Sequence, residues 1–272
     1  MYDLDKTLFV SDLDGTLLGS DGTLAKDTAR KVAKLVSRGV KFTFATARSY
    51  YTAMQVAGEL PIKIPVILHN GVFIRDPRSG TYIKKNLLPN PEYVRRIFDE
   101  YGLSPFVYST DGDKQKYSYI QDKIPLESAA YQLKRVGDPR DNPITDESLL
   151  WDGDVFYVLC ITNDPRADEI YRRLSDDYNC LYAEDYYSYD KWLEVYAKGA
   201  SKAEAALQLR DILGCERLVV FGDGANDVSM FEAADEAYAV SGAVGELKAH
   251  ATGIIGSNDE GAVVNWLTEH TR

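Results

Sequence analysis

Hydrophobic positions along the chain alternate between two spacings. Leu8, Phe9 and Val10 form an unbroken apolar run, as expected of a strand buried on both faces. Residues 26–38 then carry Ala29, Val32, Ala33, Leu35 and Val36 on one helical face and stop at Gly39, which predicts a helix with glycine just past its end. A second strand is expected over 40–45, an amphipathic helix over 49–60 and a third strand over 65–68. Strand, helix, strand, helix, strand is the rhythm of a doubly wound parallel sheet, an α/β fold of Rossmann-like type. Two hairpins are expected beside it. One spans 17–24, with Gly19 and Asp21-Gly22 between apolar positions, and is placed to act as a flap. The other pairs 72–74 with 82–86 and leads away from the sheet.

Near Leu87 the pattern changes. Fourteen of the nineteen tyrosines lie between Asn90 and Ala197. Helices are predicted there over 91–101, 126–135 and 166–174, with strands over 106–109, 116–121, 155–161, 180–183 and 191–196. That mixture suits an α+β unit with an antiparallel sheet. The sequence is therefore divided into a core, 1–86 with 190–272, and an inserted cap, 87–189, the last of those strands falling at the junction. Tyr182, Tyr186, Tyr187 and Tyr189 are candidates to stack on a sugar ring or base, or are simply strand and core residues. Beyond the insertion the first pattern resumes with a helix over 201–213, a strand over 217–221, a short helix over 228–234, a strand near 237–240, and helices over 244–249 and 260–269. A sheet interrupted and then completed predicts a crevice between two domains, a common place for a small ligand.

The chain has 272 residues and a formal net charge of −11, which argues against nucleic acid or an anionic membrane surface as its main partner. No apolar run approaches the roughly 18 residues of a membrane-spanning helix. The opening Met-Tyr-Asp-Leu-Asp-Lys has no basic and apolar leader, so no export is expected. Cys160, Cys180 and Cys215 lack metal-ligand spacing and fit reduced thiols in a cytoplasm.

Against this acidic background an anionic substrate needs local cations, and the candidate chemistry gathers at predicted strand ends. The first strand runs into Asp12 and Asp14, with Gly15 allowing a tight turn beside them. On its own this is equally a solvated turn. As a site, the two acids can share a metal ion and divide nucleophilic and proton-transfer roles. Thr46, at the second strand end beside a helix start, can cap that helix or bind a phosphate oxygen. Lys202 opens a helix, and Asp223, Asn226 and Asp227 follow a later strand. Three facing carboxylates repel unless a cation lies among them, and a hard, oxygen-only set favours Mg²⁺. A hydroxyl, a lysine and helix-terminal amides complete a pocket for a tetrahedral dianion, which points to phosphoryl transfer through an aspartyl phosphate.

The stretches Asp12-Leu13-Asp14-Gly15-Thr16, Thr46-Ala47-Arg48, Lys198-Gly199-Ala200-Ser201-Lys202 and Gly222-Asp223-Gly224-Ala225-Asn226-Asp227-Val228-Ser229-Met230 closely resemble the four motifs of the haloacid dehalogenase superfamily. Their order and the long insertion resemble its Cof-type phosphatases with a large cap of the C2 (IIB) type. The resemblance implies Asp12 as nucleophile and Asp14 as general acid and base. It implies Mg²⁺ held by the Asp12 carboxylate, the Asp14 backbone carbonyl and Asp223, and phosphate held by Thr46, Lys202, Asn226 and the amides of Leu13 and Ala47. Asp227 would orient the metal shell or Lys202, Arg48 would support the site, and Asn70-Gly71 matches the family's signature before the cap. The implied substrates are small phosphomonoesters, sugar phosphates above all. Two departures stand out: Ala47 replaces the usual glycine of the second motif, and Val240-Ser241-Gly242-Ala243 replaces a stretch that often carries an asparagine.

Other readings compete. Cys160 and Arg166 satisfy the Cys-x₅-Arg spacing of cysteine phosphatases, but Asp164 would repel phosphate and Pro165 has no amide to donate; a capped helix start explains the same residues. Gly222-x-Gly224 fails as a dinucleotide fingerprint because Asp227 stands at the third small position. His69, His250 and His270 accompany no nucleophile. A phosphomutase of the same superfamily and a phosphate-accepting signalling module remain as alternatives, the second disfavoured by the large cap and by Asp14.

Overall fold

The apolar run Leu8–Val10 lies in the strand Thr7–Ser11, all five of whose residues are buried. In this computed structural model, which describes residues 2–184 and 189–271, that strand sits inside a five-stranded sheet. The order across the sheet is Gly253–Ile254, Glu236–Ala239, Arg217–Gly222, Thr7–Ser11, Lys41–Phe44, and every neighbouring pair is parallel. Strands covered on both faces need apolar residues at consecutive positions, and Phe9, Val10, Phe42, Phe44 and Val219 to Phe221 are essentially inaccessible. The chain divides into two compact units: Met1–Lys85 with Ala200–Arg272, and Asn86–Gly199.

In the first unit the helix Lys26–Ser37 follows the periodicity of its sequence, burying Thr28, Val32 and Leu35. The helix Tyr50–Ala57 begins at Ser49, whose hydroxyl accepts a hydrogen bond from the Thr52 amide at 3.1 Å. Val66–Leu68 pairs antiparallel with Phe73–Arg75, and that strand with Tyr82–Lys85, so the expected hairpin is part of a three-stranded sheet. It meets the main sheet through a single parallel bridge, Ala45 to Ile67.

The expected hairpin over 17–24 is instead a loop. Leu17 and Leu18 are buried, and Gly19 accepts from the Gly22 amide at 2.8 Å, closing a tight turn. Asp259 accepts from both the amide and the hydroxyl of Ser20, at 2.7 and 2.8 Å, so the segment is tied down rather than free as a flap.

The second unit is built on a six-stranded sheet in the order Asn179–Glu184, Lys191–Tyr196, Asp154–Ile161, Phe106–Asp111, Lys114–Ile120, Asp141–Ile144. All pairs are antiparallel except the last, an edge strand in which Pro143 is tolerated. The sequence boundary at 189 is corrected to Gly199. Lys191–Tyr196 is an inner strand of this sheet, and its Leu193 and Val195 lie in the core with Val158, Phe98 and Ile170. Alternating apolar residues mark such a strand but do not say which sheet supplies its partners.

The tyrosines of this unit are mainly packing residues. Tyr117, Tyr119 and Tyr131 are buried around Phe106, buried Tyr108 packs on Tyr117 and Phe156, and Tyr182 packs on the Tyr171 ring. Tyr189 is exposed, and Tyr186 and Tyr187 lie outside the described residues. Among the described residues, no helix is long and apolar enough to cross a membrane.

Candidate functional site

Parallel pairing brings the carboxyl ends of three strands together. The Asp12 amide donates to the Phe221 carbonyl at 2.9 Å, the Ala45 amide to Ser11 at 2.9 Å and the Thr46 amide to Ile67 at 3.0 Å. Asp12, Thr46 and Asp223 therefore leave the sheet at one level, where ligands of open α/β sheets bind. The two acids of the first motif then part company. Asp12 is 6% exposed, whereas Asp14 points outward and is gripped at both oxygens by Arg48, at 2.8 and 2.7 Å. That bidentate fork keeps the Arg48 guanidinium above its ordinary pKa. Between the acids and Thr16 the backbone turns through Gly15 at φ +75°. A Cβ there would lie 2.3 Å from Asp223 Oδ2, so only glycine lets the two motifs close up.

Lys202 is the buried cation of the site. Its Nζ donates to Asp12 Oδ1 and Asp227 Oδ1, each at 2.6 Å, with the side chain fully enclosed. It is the first residue of the helix Lys202–Ile212, whose N-cap Ser201 accepts from the Glu204 amide at 3.1 Å.

Asp227 is shared between two tasks. Its Oδ2 accepts from the amides of Asp223 and Gly224, both at 3.1 Å, while Oδ1 faces Lys202. The carbonyl of Asp223 accepts from the Val244 amide at 2.9 Å. The unusual stretch from Val240 to Ala243 thus leads into a backbone support for the aspartate.

One oxygen each of Asp12, Asp223 and Asp227 lies within 4.8 Å of the others. Asp227 uses both oxygens on protein donors. Asp12 uses one on Lys202 and Asp223 one on the Thr16 hydroxyl, at 2.7 Å, so each keeps a second oxygen for a cation. Burial is the largest influence on Asp12 and raises its pKa; the charges of Asp227 and Asp223 add to it and Lys202 opposes it. Asp223 is raised for the same first reason. Burial works against the Lys202 ammonium too, yet Asp12 and Asp227 hold its pKa above the ordinary value. Three carboxylates against one ammonium leave excess negative charge. This all-oxygen set fits a small divalent cation such as Mg²⁺, which Asp12 and Asp223 would hold.

Most residues read from the sequence converge here. Thr46 is fully buried and accepts from the Arg48 amide at 3.1 Å, which leaves its hydroxyl proton for a ligand. Asn70, in the left-handed region at φ 52°, accepts from Asn226 Nδ2 at 3.4 Å, and its own amide donates to the Thr46 carbonyl at 2.9 Å. Leu13 is buried, whereas Ala47 and Asn226 are exposed. The Asp14 carboxylate stands outside the Asp12, Asp223 and Asp227 cluster. Thr16 is the residue that motif reading left without a role. Its signal is positional, since the turn at Gly15 directs the next side chain back toward the Asp223 strand end.

The cysteine alternative has no such site. Cys160 is 1% exposed, and burial, with Glu127 and Asp164 adding, pushes its thiol up to about 12. Arg166 is occupied by Asp164 and by the Tyr101 carbonyl.

Residues 9–267 match the family model of haloacid dehalogenase-like hydrolases. The 5-amino-6-(5-phospho-D-ribitylamino)uracil phosphatase YwtE of Bacillus subtilis is 26% identical, covering 95% of this chain and 96% of its own. The pyridoxal phosphate phosphatase YbhA of Escherichia coli is 23% identical over 95% of this chain and 96% of its own. Among solved structures, a Thermotoga maritima protein superposes with a TM-score of 0.80 at 25% identity, covering 99% of this chain and 97% of that one. A haloacid dehalogenase-like hydrolase from Bacteroides thetaiotaomicron does so with 0.78 at 23% identity, covering 97% and 99%. With the family model spanning nearly its whole length and four of its strand and helix ends converging on Asp12, this chain belongs to the haloacid dehalogenase-like hydrolases, as a phosphatase acting on phosphomonoesters.

Proposed function

We propose that this hydrolase removes the phosphoryl group of a small sugar or polyol phosphate through an aspartyl phosphate at Asp12, with Mg²⁺ as cofactor. The observation that carries the reading is the buried Asp12 carboxylate at a strand end, 2.6 Å from Lys202 and clustered with Asp223. Asp12 attacks phosphorus as the bond to the leaving oxygen breaks, and Asp14 gives that oxygen its proton. Water then attacks the phosphorus, Asp14 takes its proton, and the bond to Asp12 breaks to release phosphate. Lys202 and the Thr46 hydroxyl offset charge on the transferring group, with the Leu13 and Ala47 amides and Asn226 beside them. Asp227 holds Lys202 and the Asp223 turn, and Arg48 and Asn70 keep Asp14 and Asn226 in place. The Asp12 and Asp223 carboxylates and the Asp14 carbonyl would hold Mg²⁺, which would supply positive charge for a phosphate approaching the acids.

The substrate class is supported by the relative named for a phosphorylated ribityl chain. A phosphorylated pyridoxal is the second reading, supported by the relative named for it. The test is phosphate release from sugar, polyol, nucleoside and pyridoxal phosphates, with and without Mg²⁺, beside Asp12→Asn. Metal-dependent release that the variant loses supports the mechanism, and the ranking decides the substrate. Full activity in Asp12→Asn would remove the nucleophile. Transfer to a second hydroxyl without net release would favour a mutase, and a long-lived phosphoenzyme without turnover a signalling module.

A further inference from the structure

The strand Thr7–Ser11 ends on a hydroxyl where its sheet neighbours are aromatic. Leu8, Phe9 and Val10 are fully buried, and so is Ser11, which lies level with Phe44 on one side and Phe221 on the other. A hydroxyl enclosed there costs free energy unless it is hydrogen-bonded, and the Ser11 Oγ donates to the Asp12 carbonyl at 2.7 Å. That carbonyl stands where the sheet ladder stops. The Ser11 carbonyl still accepts from the Ala45 amide, and the Asp12 amide still donates to Phe221, each at 2.9 Å. In a parallel ladder the next bond would run from the Asp223 amide to the Asp12 carbonyl. The Asp223 amide instead donates to Asp227 Oδ2, at 3.1 Å. Ser11 supplies a donor that the ladder withholds.

The consequence lies at the other end of the same peptide unit. A peptide is a rigid trans plane whose C=O and N–H point to opposite sides. A hydrogen bond that fixes the Asp12 carbonyl therefore also aims the Leu13 N–H, which has no acceptor of its own among the described residues. The plane after Leu13 is fixed separately, by the Leu18 amide donating to the Leu13 carbonyl at 2.9 Å. A donor held in place before charge develops stabilises a transferring group without rearranging, and small errors in its aim are costly. We infer that Ser11 is a positioning residue of the phosphatase: its buried hydroxyl sets the Asp12–Leu13 peptide so that the Leu13 amide points at an oxygen of the transferring phosphoryl group. The inference rests on the proposed phosphoryl transfer at Asp12, and it adds a residue that acts through the backbone rather than on the substrate.

The test is isothermal titration of the full chain with orthovanadate, a mimic of the transferring group, at saturating Mg²⁺ and beside phosphate release, for wild type, Ser11→Ala and Ser11→Cys. Ser11→Ala deletes the donor, whereas Ser11→Cys keeps the volume and offers only a weak one. Both variants are expected to bind orthovanadate about tenfold to a hundredfold more weakly and to lose kcat/KM by a similar factor. Lost stability alone would lower the stoichiometry of binding and leave the dissociation constant of the folded fraction unchanged. The inference is overturned if either variant binds orthovanadate as tightly as wild type, a result that leaves the phosphoryl-transfer reading standing. If wild type itself binds no orthovanadate and releases no phosphate, that reading falls and the inference falls with it.

Discussion

Gly71 and Ser201 touch backbone to backbone: a Cβ on Gly71 would lie 2.0 Å from the Ser201 carbonyl oxygen, and Gly71 itself sits at φ +99°. Ser201 caps the helix that begins with Lys202, so this contact sets where the buried ammonium enters the site. Gly71→Ala therefore combines left-handed strain with overpacking. The two costs together should lower stability by about 2–5 kcal/mol. Urea denaturation should show a lower midpoint with an unchanged slope, and phosphatase activity should fall even in the folded fraction. A variant of wild-type stability would mean that the helix start can shift freely, and the contact would have no role in placing Lys202.

Gly71 also marks what the sequence could convey. Strands and helices of the first unit were legible because burial on both faces writes unbroken apolar runs such as Leu8 to Val10, and helices write a spaced face such as Ala29, Val32 and Val36. The site residues were legible because acids, a hydroxyl and a lysine stood at predicted strand and helix ends. Side-chain partnerships were not. Nothing in the order of residues tells that Thr16 bonds to Asp223, 207 positions away, or that Arg48 grips both oxygens of Asp14. The junction lies beyond residue 190 because a strand's neighbours are chosen by long-range pairing, here with Asp154–Ile161 and Asn179–Glu184. Segment 17–24 is a loop although its residues suit a hairpin, because its turn amides are satisfied by the Asp21 side chain and by Asp259.

The Thr16 hydroxyl gives its proton to Asp223 Oδ1, so it selects which Asp223 oxygen faces a cation. Thr16→Val keeps the shape of the buried side chain and deletes that bond. Removing a partner behind a metal ligand typically weakens metal affinity about 10–100-fold. The Mg²⁺ concentration for half-maximal phosphate release should rise by about that factor, with the rate at saturating Mg²⁺ largely kept. Removal of metal by a chelator should abolish release in both proteins. An unchanged Mg²⁺ requirement in the variant would show that Thr16 has only a packing role.

Cys160 should be chemically silent in the folded protein. Its thiol is pushed up to about 12 by burial, and so is that of Cys180. At pH 8 a thiol of that pKa is ionised to the order of 10⁻⁴, against roughly a quarter for an ordinary cysteine near 8.5. Alkylation at pH 8, followed by mass spectrometry, should label both sites at least a hundredfold more slowly than in urea. Labelling of Cys160 at the same rate in folded and unfolded protein would contradict its burial and revive it as a reactive group.

Glu194 should make the stability of the second unit fall as pH rises. It lies on the inner strand Lys191–Tyr196, paired across to Leu159 and Leu181, and burial raises its carboxyl above the usual glutamate range although a hydrogen bond from Tyr157 opposes the shift. Between the ordinary glutamate value and this raised one, the folded chain keeps a proton that the unfolded chain has released. The unfolded state then binds fewer protons, so its population grows with pH through that window, and the cost is fully present above it. Glu194→Gln retains a group able to accept from Tyr157 and never ionises. Its unfolding midpoint should match the wild type below the ordinary glutamate value, exceed it increasingly through that window and keep a constant margin above it. Parallel midpoints for the two proteins across that range would mean that Glu194 ionises as easily in the folded sheet as in the open chain.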